Sequence, residues 1–299
     1  MRLRDRVAIV TGAGRGLGRA HALALAAQGA AVIVNDRGGA LDGSGNDARP
    51  ADDVVAAIRA LGGQAVASGH DVADWDQAAA LVDFAVSSFG RLDILVNNAG
   101  ILRDRTLANM SEAEWDAVIR VHLKGHAAPA RHALAYWRDQ HKRGEAVSAS
   151  VVHTSSASAF AGNVGQANYA SAKLAVVALS STIALEGARY GVRSNVVSPS
   201  ARTRISEATI EDAPADGGFD VMAPDNVSPL IAWLAEAACP ANAQVFHLIG
   251  REVLLMDIAA VAQRVRAPGR WSPEALDIAL RGRMTPPHDI NIFLKEQLL

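Results

Sequence analysis

Short apolar runs alternate with amphipathic stretches along most of this chain. Val7 to Val10 is an apolar run bounded by charge and reads as a buried strand, and the alanine- and leucine-rich stretch after Gly18 reads as a helix that Gly29 ends. The same alternation continues: strand Ala31 to Asn35, helix Ala51 to Leu61, strand Ala65 to Ser68, helix Trp75 to Phe89, strand Leu92 to Val96. Ser111-Glu112-Ala113-Glu114 has capping-box spacing, so a helix is expected there, carrying Trp115, Val118, Ile119 and His122. A separate helix is expected from about Pro129 to Arg143. Val151-Val152 then leads into a polar loop, a helix runs from near Asn168 to Tyr190, and Val192 to Val197 forms a strand that stops at Pro199.

Such alternation predicts an α/β fold with a doubly wound parallel sheet and helices on both faces. Ligands in such sheets sit beyond the C-terminal ends of the strands, where Asp36, Asp71, Asn98 and Ser156 all fall. Three segments break the pattern. Residues 37–50, rich in glycine and aspartate, read as a loop, either a mobile insertion or a flap near a bound adenosine. Residues 200–225 carry Pro214, Gly217, Gly218 and Pro224 and read as a substrate lid or a linker. Residues 257–299 form a C-terminal extension to a catalytic domain of 1–256, with short helices expected at Ile258 to Val265 and Pro273 to Arg281.

Composition narrows the function. The chain has 299 residues, half of them apolar, which suffices for one large core, and a formal net charge of −2 with no basic stripe. Nucleic acid and anionic membrane are therefore poor partners, and a small neutral or anionic substrate fits better. No run is expected to approach the length of a membrane span, and the single cysteine, Cys239, suits a reducing compartment; the expectation is a soluble cytoplasmic protein. Nine histidines include no pair at H-E-x-x-H spacing, so no metal site is expected.

Two constellations carry chemistry. Gly12, Gly14, Gly16 and Gly18, with Arg15 and Leu17 between them, lie between a strand and a helix, where backbone can approach a pyrophosphate at the helix N-terminus. Asp36, at the end of the next strand, can take adenosine ribose hydroxyls and would repel a 2′-phosphate, favouring NAD; Arg15 pulls toward NADP. Asp71-Val72 closes the strand edge where an adenine would lie. Tyr169 and Lys173, four residues apart on a helix, share one face, and an ammonium beside a phenol favours the phenolate. Tyr-x-x-x-Lys alone is more often a solvated pair. Ser156, one loop upstream, offers a hydroxyl to the same substrate oxygen.

Thr11 to Gly18, Asp71, Asn97 to Gly100, Ser156, Tyr169 and Lys173 together resemble the short-chain dehydrogenase/reductase family, in the expected order over roughly the first 250 residues. The resemblance implies a Rossmann-like sheet of about seven strands and hydride transfer between NAD(P) and a secondary alcohol or ketone. By the same resemblance Tyr169 donates or accepts the proton, Ser156 orients the reacting oxygen, Lys173 grips the nicotinamide ribose and Asn98 lies near it. His122 stands where the family commonly has asparagine, whose backbone carbonyl helps hold a proton-relay water; a catalytic imidazole is the lesser alternative. A doubtful carry-over is Thr203 as a nicotinamide contact, because this chain has Pro199-Ser200 where the family shows Pro-Gly.

The stretches VNDRGGALDGSGNDARPADDVVAAI, VHLKG and GQANYASAKL are further similar to the D-specific 3-hydroxyacyl-CoA dehydrogenase domain of peroxisomal multifunctional enzyme type 2. That similarity implies a 3-hydroxyacyl-CoA or similar thioester as substrate, a homodimer or homotetramer, and an extension that packs near a partner's substrate entrance. The alternatives are an NADPH-dependent 3-oxoacyl thioester reductase, a hydroxysteroid dehydrogenase, or a dinucleotide-binding sensor without turnover.

Overall fold

The structure, a computed structural model, describes residues 1–203, 214, 218–283 and 290. The apolar runs become β1 (Val7–Thr11), β2 (Ala31–Asn35), β3 (Gln64–Ser68), β4 (Ile94–Asn97), β5 (Ala149–Thr154), β6 (Val192–Ser200) and β7 (Val245–Ile249). They form one parallel sheet that continues into an eighth strand, β8 (Glu252–Met256), in the order 3-2-1-4-5-6-7-8. Every residue of β1, β4, β5 and β7 is buried, as strands covered on both faces must be.

Helices cover both faces. α1 (Gly16–Ala27), α2 (Arg49–Ala60) and α7 (Ser228–Leu234) close one apolar core with Ala8, Val10, Val34 and Val96. α3 (Trp75–Phe89), α5 (Gly125–Lys142) and α6 (Ala167–Gly187) close the other with Ile9, Leu95 and Val151. Trp137, fully buried on α5, donates its indole N–H to the Leu92 carbonyl at 2.7 Å and fixes α5 against the sheet.

Four expectations are corrected. The sheet is not wholly parallel: Gly250, at φ +55°, opens a two-residue turn that folds β8 back antiparallel on β7. The helices expected around Ser111 and Pro129 are one run. α4 (Glu112–Ile119), which has the capping box, passes through a π-turn at Arg120–Lys124 directly into α5, and Pro129 sits inside that helix. No helix forms at 258–265, where Asp257 accepts from the Ala259 amide and Ile258 and Val261 are exposed. The expected helix at Pro273 is present as α8 (Pro273–Leu280). Finally, one helical stretch, 167–190, is long and apolar enough by length and composition to cross a membrane, but here it packs on β6 and buries Lys173. Half of the lid expected at 200–225, residues 204–213 and 215–217, lies outside the described residues.

Residues 37–48 are a folded strap. Ala40 N–H donates to Ser44 O (2.7 Å) and Asp47 N–H to Arg37 O (2.8 Å), while Leu102 N–H donates to Leu41 O (3.0 Å). Arg103 Nε adds a bond to Asp42 O at 2.8 Å. The segment after β2 is thereby tied to the segment after β4, across the carboxyl edge of the sheet.

Candidate active site

At that edge one cavity of about 850 Å³ is lined by the catalytic and cofactor residues expected from the sequence, Gly14 of the glycine turn excepted. At one end, the turn between β1 and α1 is built for close backbone approach. Gly12 has φ +63°, and a Cβ on Gly18 would lie 2.1 Å from Gly12 O. Thr11 Oγ1 accepts from the amides of Asn98 (2.9 Å) and Ala99 (3.1 Å), and Asn98 Nδ2 returns a bond to Thr11 O (3.0 Å). Asn98 therefore clamps the glycine turn as well as lining the cavity.

Asp36 is held at the mouth of the same turn. Its carboxylate accepts from Gly14 N (2.7 Å) and Gly38 N (2.6 Å). Asp71 accepts from the Ala73 amide (2.9 Å) and pairs with Arg37 (2.9 Å) and Arg120 (3.0 Å). Burial pushes its carboxyl up, but those partners together hold it below the usual range. Arg37, adjacent to Asp36, is thus engaged away from it. Arg15, Gly16, Leu17 and Val72 complete this end, and Thr203 lies against Gly16, 3.5 Å from where a Cβ would be. A glycine cradle, free amides at the start of α1 and a fixed carboxylate beside them fit a dinucleotide.

At the centre, Tyr169 and Lys173 are 7 % and 2 % exposed, which overturns the alternative of a solvated helix pair. Lys173 Nζ donates to Thr154 O at 2.6 Å and lies 5.7 Å from the Tyr169 ring centroid. The expectation that Lys173 favours the phenolate is reversed in the chain by itself. Burial pushes Tyr169 up to about 12, against a hydrogen bond from Ser156 that lowers it, and burial drops Lys173 to about 7. Ser156 also accepts from the Ser158 amide at 3.2 Å. His122, on the π-turn, sets its ring edge-on to Tyr169 at 5.0 Å, and its Nε2 meets the backbone of Ile101, 2.8 Å from the carbonyl and 3.0 Å from the amide nitrogen. Burial keeps that imidazole neutral. The lining also includes Phe219, Val221, Met222 and Ile290, beside the Arg202–Asp220 ion pair at 2.6 Å. Ile290 N–H donates to Gly162 O at 3.0 Å, so this point of the extension reaches its own subunit's cavity.

Sequence reasoning missed three features. His126 and His153 stack behind Lys173, a polar interruption of the apolar run VVHT that could have prompted the question. The strap contacts to Ile101–Arg103 and the apolar contribution of Ile290 had no local signal. Among the described residues no cluster could hold a metal ion.

A nucleotide cradle joined to a buried serine, tyrosine and lysine defines a dinucleotide-dependent oxidoreductase. The family described as short chain dehydrogenase matches residues 6–213, and the chain belongs to it. It is 45% identical over 285 residues to hydroxyacyl-CoA dehydrogenase ChsB1 of Mycobacterium tuberculosis, covering 93% of this chain and 88% of that one. It is 40% identical over 281 residues to mouse peroxisomal multifunctional enzyme type 2, covering 92% of this chain but 36% of that longer protein. A crystal structure of a short chain dehydrogenase from Mycobacterium avium superposes with a TM-score of 0.84 at 49% identity, covering 97% of this chain and 99% of that one. The chain is an oxidoreductase acting on CH–OH groups of small molecules with an NAD(P) dinucleotide.

Proposed function

We propose that this enzyme is an NAD-dependent dehydrogenase interconverting the 3-hydroxy and 3-oxo groups of an acyl-CoA or similar thioester. The observation that carries the cofactor choice is the Asp36 carboxylate, fixed by the Gly14 and Gly38 amides where a 2′-phosphate would have to sit. The substrate class rests on the similarity to hydroxyacyl-CoA dehydrogenases and on the apolar side chains Phe219, Val221, Met222 and Ile290 in the cavity lining.

In this reading a dinucleotide held by the glycine turn and Asp36 would supply hydride chemistry at the carbinol carbon. Ser156 holds the substrate oxygen, and Tyr169 moves the proton at that oxygen. Lys173 supplies positive charge beside the phenol and grips the nicotinamide ribose. Asp71 and Val72 would hold the adenine, and the backbone of His122 would hold a relay water while its ring braces Ile101. The enzyme works as a homodimer or homotetramer; Leu174 and Leu185, 44% and 80% exposed on α6, are suited to face a partner.

The test is reduced-nicotinamide absorbance with NAD and NADP on panels of 3-hydroxyacyl-CoA esters and hydroxysteroids. Turnover of the CoA esters with NAD is expected. Preference for NADP would mean that Arg15 outweighs Asp36 and that the reductase alternative holds; turnover only of steroids would overturn the substrate class. A Tyr169→Phe variant that keeps cofactor binding but loses turnover separates an enzyme from a sensor.

A further inference from the structure

The strap at residues 37–48 is anchored at both ends of the cavity. Its root belongs to the cofactor end, where the Asp36 carboxylate that accepts from Gly14 N also accepts from Gly38 N at 2.6 Å. Its tip belongs to the other end. Leu102 N–H donates to Leu41 O at 3.0 Å, and Arg103 Nε donates to Asp42 O at 2.8 Å. Gly43, at φ +85°, comes so near Ile101 that a Cβ there would lie 3.2 Å from the isoleucine side chain. Ile101 packs with Val118 and Tyr169 in one apolar cluster, and His122 Nε2 lies 2.8 Å from its carbonyl. The Arg103 carbonyl then accepts from Asn168 Nδ2 at 3.1 Å, next to Tyr169 on α6. The substrate oxygen is held at Tyr169, so the segment under the strap tip walls the substrate and not the adenosine.

Of the strap residues that line the cavity, Leu41 has the only large apolar side chain, and it is 37% exposed. Apart from Arg37, which pairs with Asp71, the others are glycine or alanine. A leucine with that much surface uncovered gains when an apolar group covers it. We propose that Leu41 is a specificity-determining residue of the substrate site. With Ile101 it forms the wall along which the substrate's acyl chain lies, and Arg103 is the positioning residue that holds the strap tip there. This role rests on the acyl-thioester reading of the site and deepens it by naming the side chain that selects among acyl chains. A strap that only roofed the adenosine would need its root at Asp36, but not a tip bonded to Leu102 and Arg103.

Chain length exposes the difference. A 3-hydroxybutanoyl group has only a methyl beyond its carbinol and reaches little of that wall, whereas the chain of a 3-hydroxydodecanoyl group lies along it. Leu41→Ala withdraws the wall, and Leu41→Trp fills the space the chain would occupy. Arg103→Met keeps an apolar stem but removes the bond to Asp42 O, which frees the tip.

Steady-state kinetics on those two CoA esters test the role, with NAD affinity measured separately by titration calorimetry. In Leu41→Ala and Leu41→Trp, kcat/KM on the dodecanoyl ester is expected to fall at least about tenfold, chiefly through KM, while the butanoyl ester and NAD affinity stay within about twofold of wild type. Arg103→Met should shift the ratio between the esters in the same direction. An unchanged ratio, or weakened NAD affinity as the sole effect, overturns the assignment and leaves the strap a roof over the cofactor. A wild type that turns over hydroxysteroids and neither ester sinks the acyl-thioester reading by itself. Leu41 is then decided with the same variants on a hydroxysteroid against 2-butanol: selective loss of the bulkier alcohol upholds it as the selecting residue, and a uniform loss overturns it.

Discussion

Replacing Lys173 by methionine should abolish turnover and, at the same time, stabilise the cofactor-free protein. The side chain is 2 % exposed and its ammonium has dropped from 10.5 to about 7 through burial. A fall of about 3.5 pH units, at about 1.4 kcal/mol per unit, puts the cost of the buried charge at about 5 kcal/mol. The charge-assisted bond from Nζ to Thr154 O returns about 1.5–3 kcal/mol of that. Methionine of similar length forgoes both, so the variant should be about 2–3.5 kcal/mol more stable at pH 6, where the native ammonium is charged. The sign with pH is fixed. Between 7 and 10.5 the unfolded chain holds more protons on Lys173 than the folded one, so wild-type stability rises across that window and the advantage of the variant shrinks. Urea unfolding of both proteins at pH 6 and pH 9.5 measures this. The upper limit stays below the range where Tyr169, near 12 folded against 10 unfolded, would add its own slope. A variant less stable than wild type at pH 6, or an advantage that does not narrow by pH 9.5, refutes the reasoning.

Asp36→Ala should raise kcat/KM with NADP by at least about tenfold and lower it with NAD, since it removes the carboxylate that excludes a 2′-phosphate; paired initial rates check it. Gly18→Ala should abolish cofactor binding by titration calorimetry while the fold survives by circular dichroism, because its Cβ would lie 2.1 Å from Gly12 O. Stability should fall steeply below pH 6.5: His21, His122, His126, His153 and His247 are all lowered by burial, so the unfolded chain takes up protons first, at about 1.4 kcal/mol per pH unit for each. The His126→Phe/His153→Phe double variant should flatten that fall in a pH series of thermal melts. Trp137→Ala should cost about 3–5 kcal/mol by urea unfolding, for lost packing and its bond to Leu92.

The strands and the glycine turn were legible because their determinants are local. An apolar run such as ILVN has few fates other than a buried strand, and glycines between strand and helix leave a backbone turn as the plain reading. The fused α4 and α5 were less so: Pro129 reads as a helix start, and only the packed π-turn before it shows that the helix has already begun. The apolar positions of 258–265 failed for a related reason. A stripe alone does not make a helix: 258–265 forms none and Val261 stays 74% exposed, whereas α8 forms behind its Ser272 cap although none of its residues is buried.

The same division runs through the site. Tyr169 and Lys173 lie one helical turn apart, so their spacing announced them; what it could not announce was that both are buried, which sets the sign of both shifts. His126 and His153 stand 27 residues apart and on different elements, and each alone looks like a core histidine. Substrate choice is harder still. The wall beyond Tyr169 combines Leu41 from the strap, Ile101 after β4, Phe219 to Met222, and Ile290 from the extension, four segments that no local pattern joins. Under the proposed function, cofactor choice rests on one carboxylate held by two neighbouring turns, whereas substrate choice rests on how four distant segments meet. The first can be read from spacing, and the second only from the folded chain.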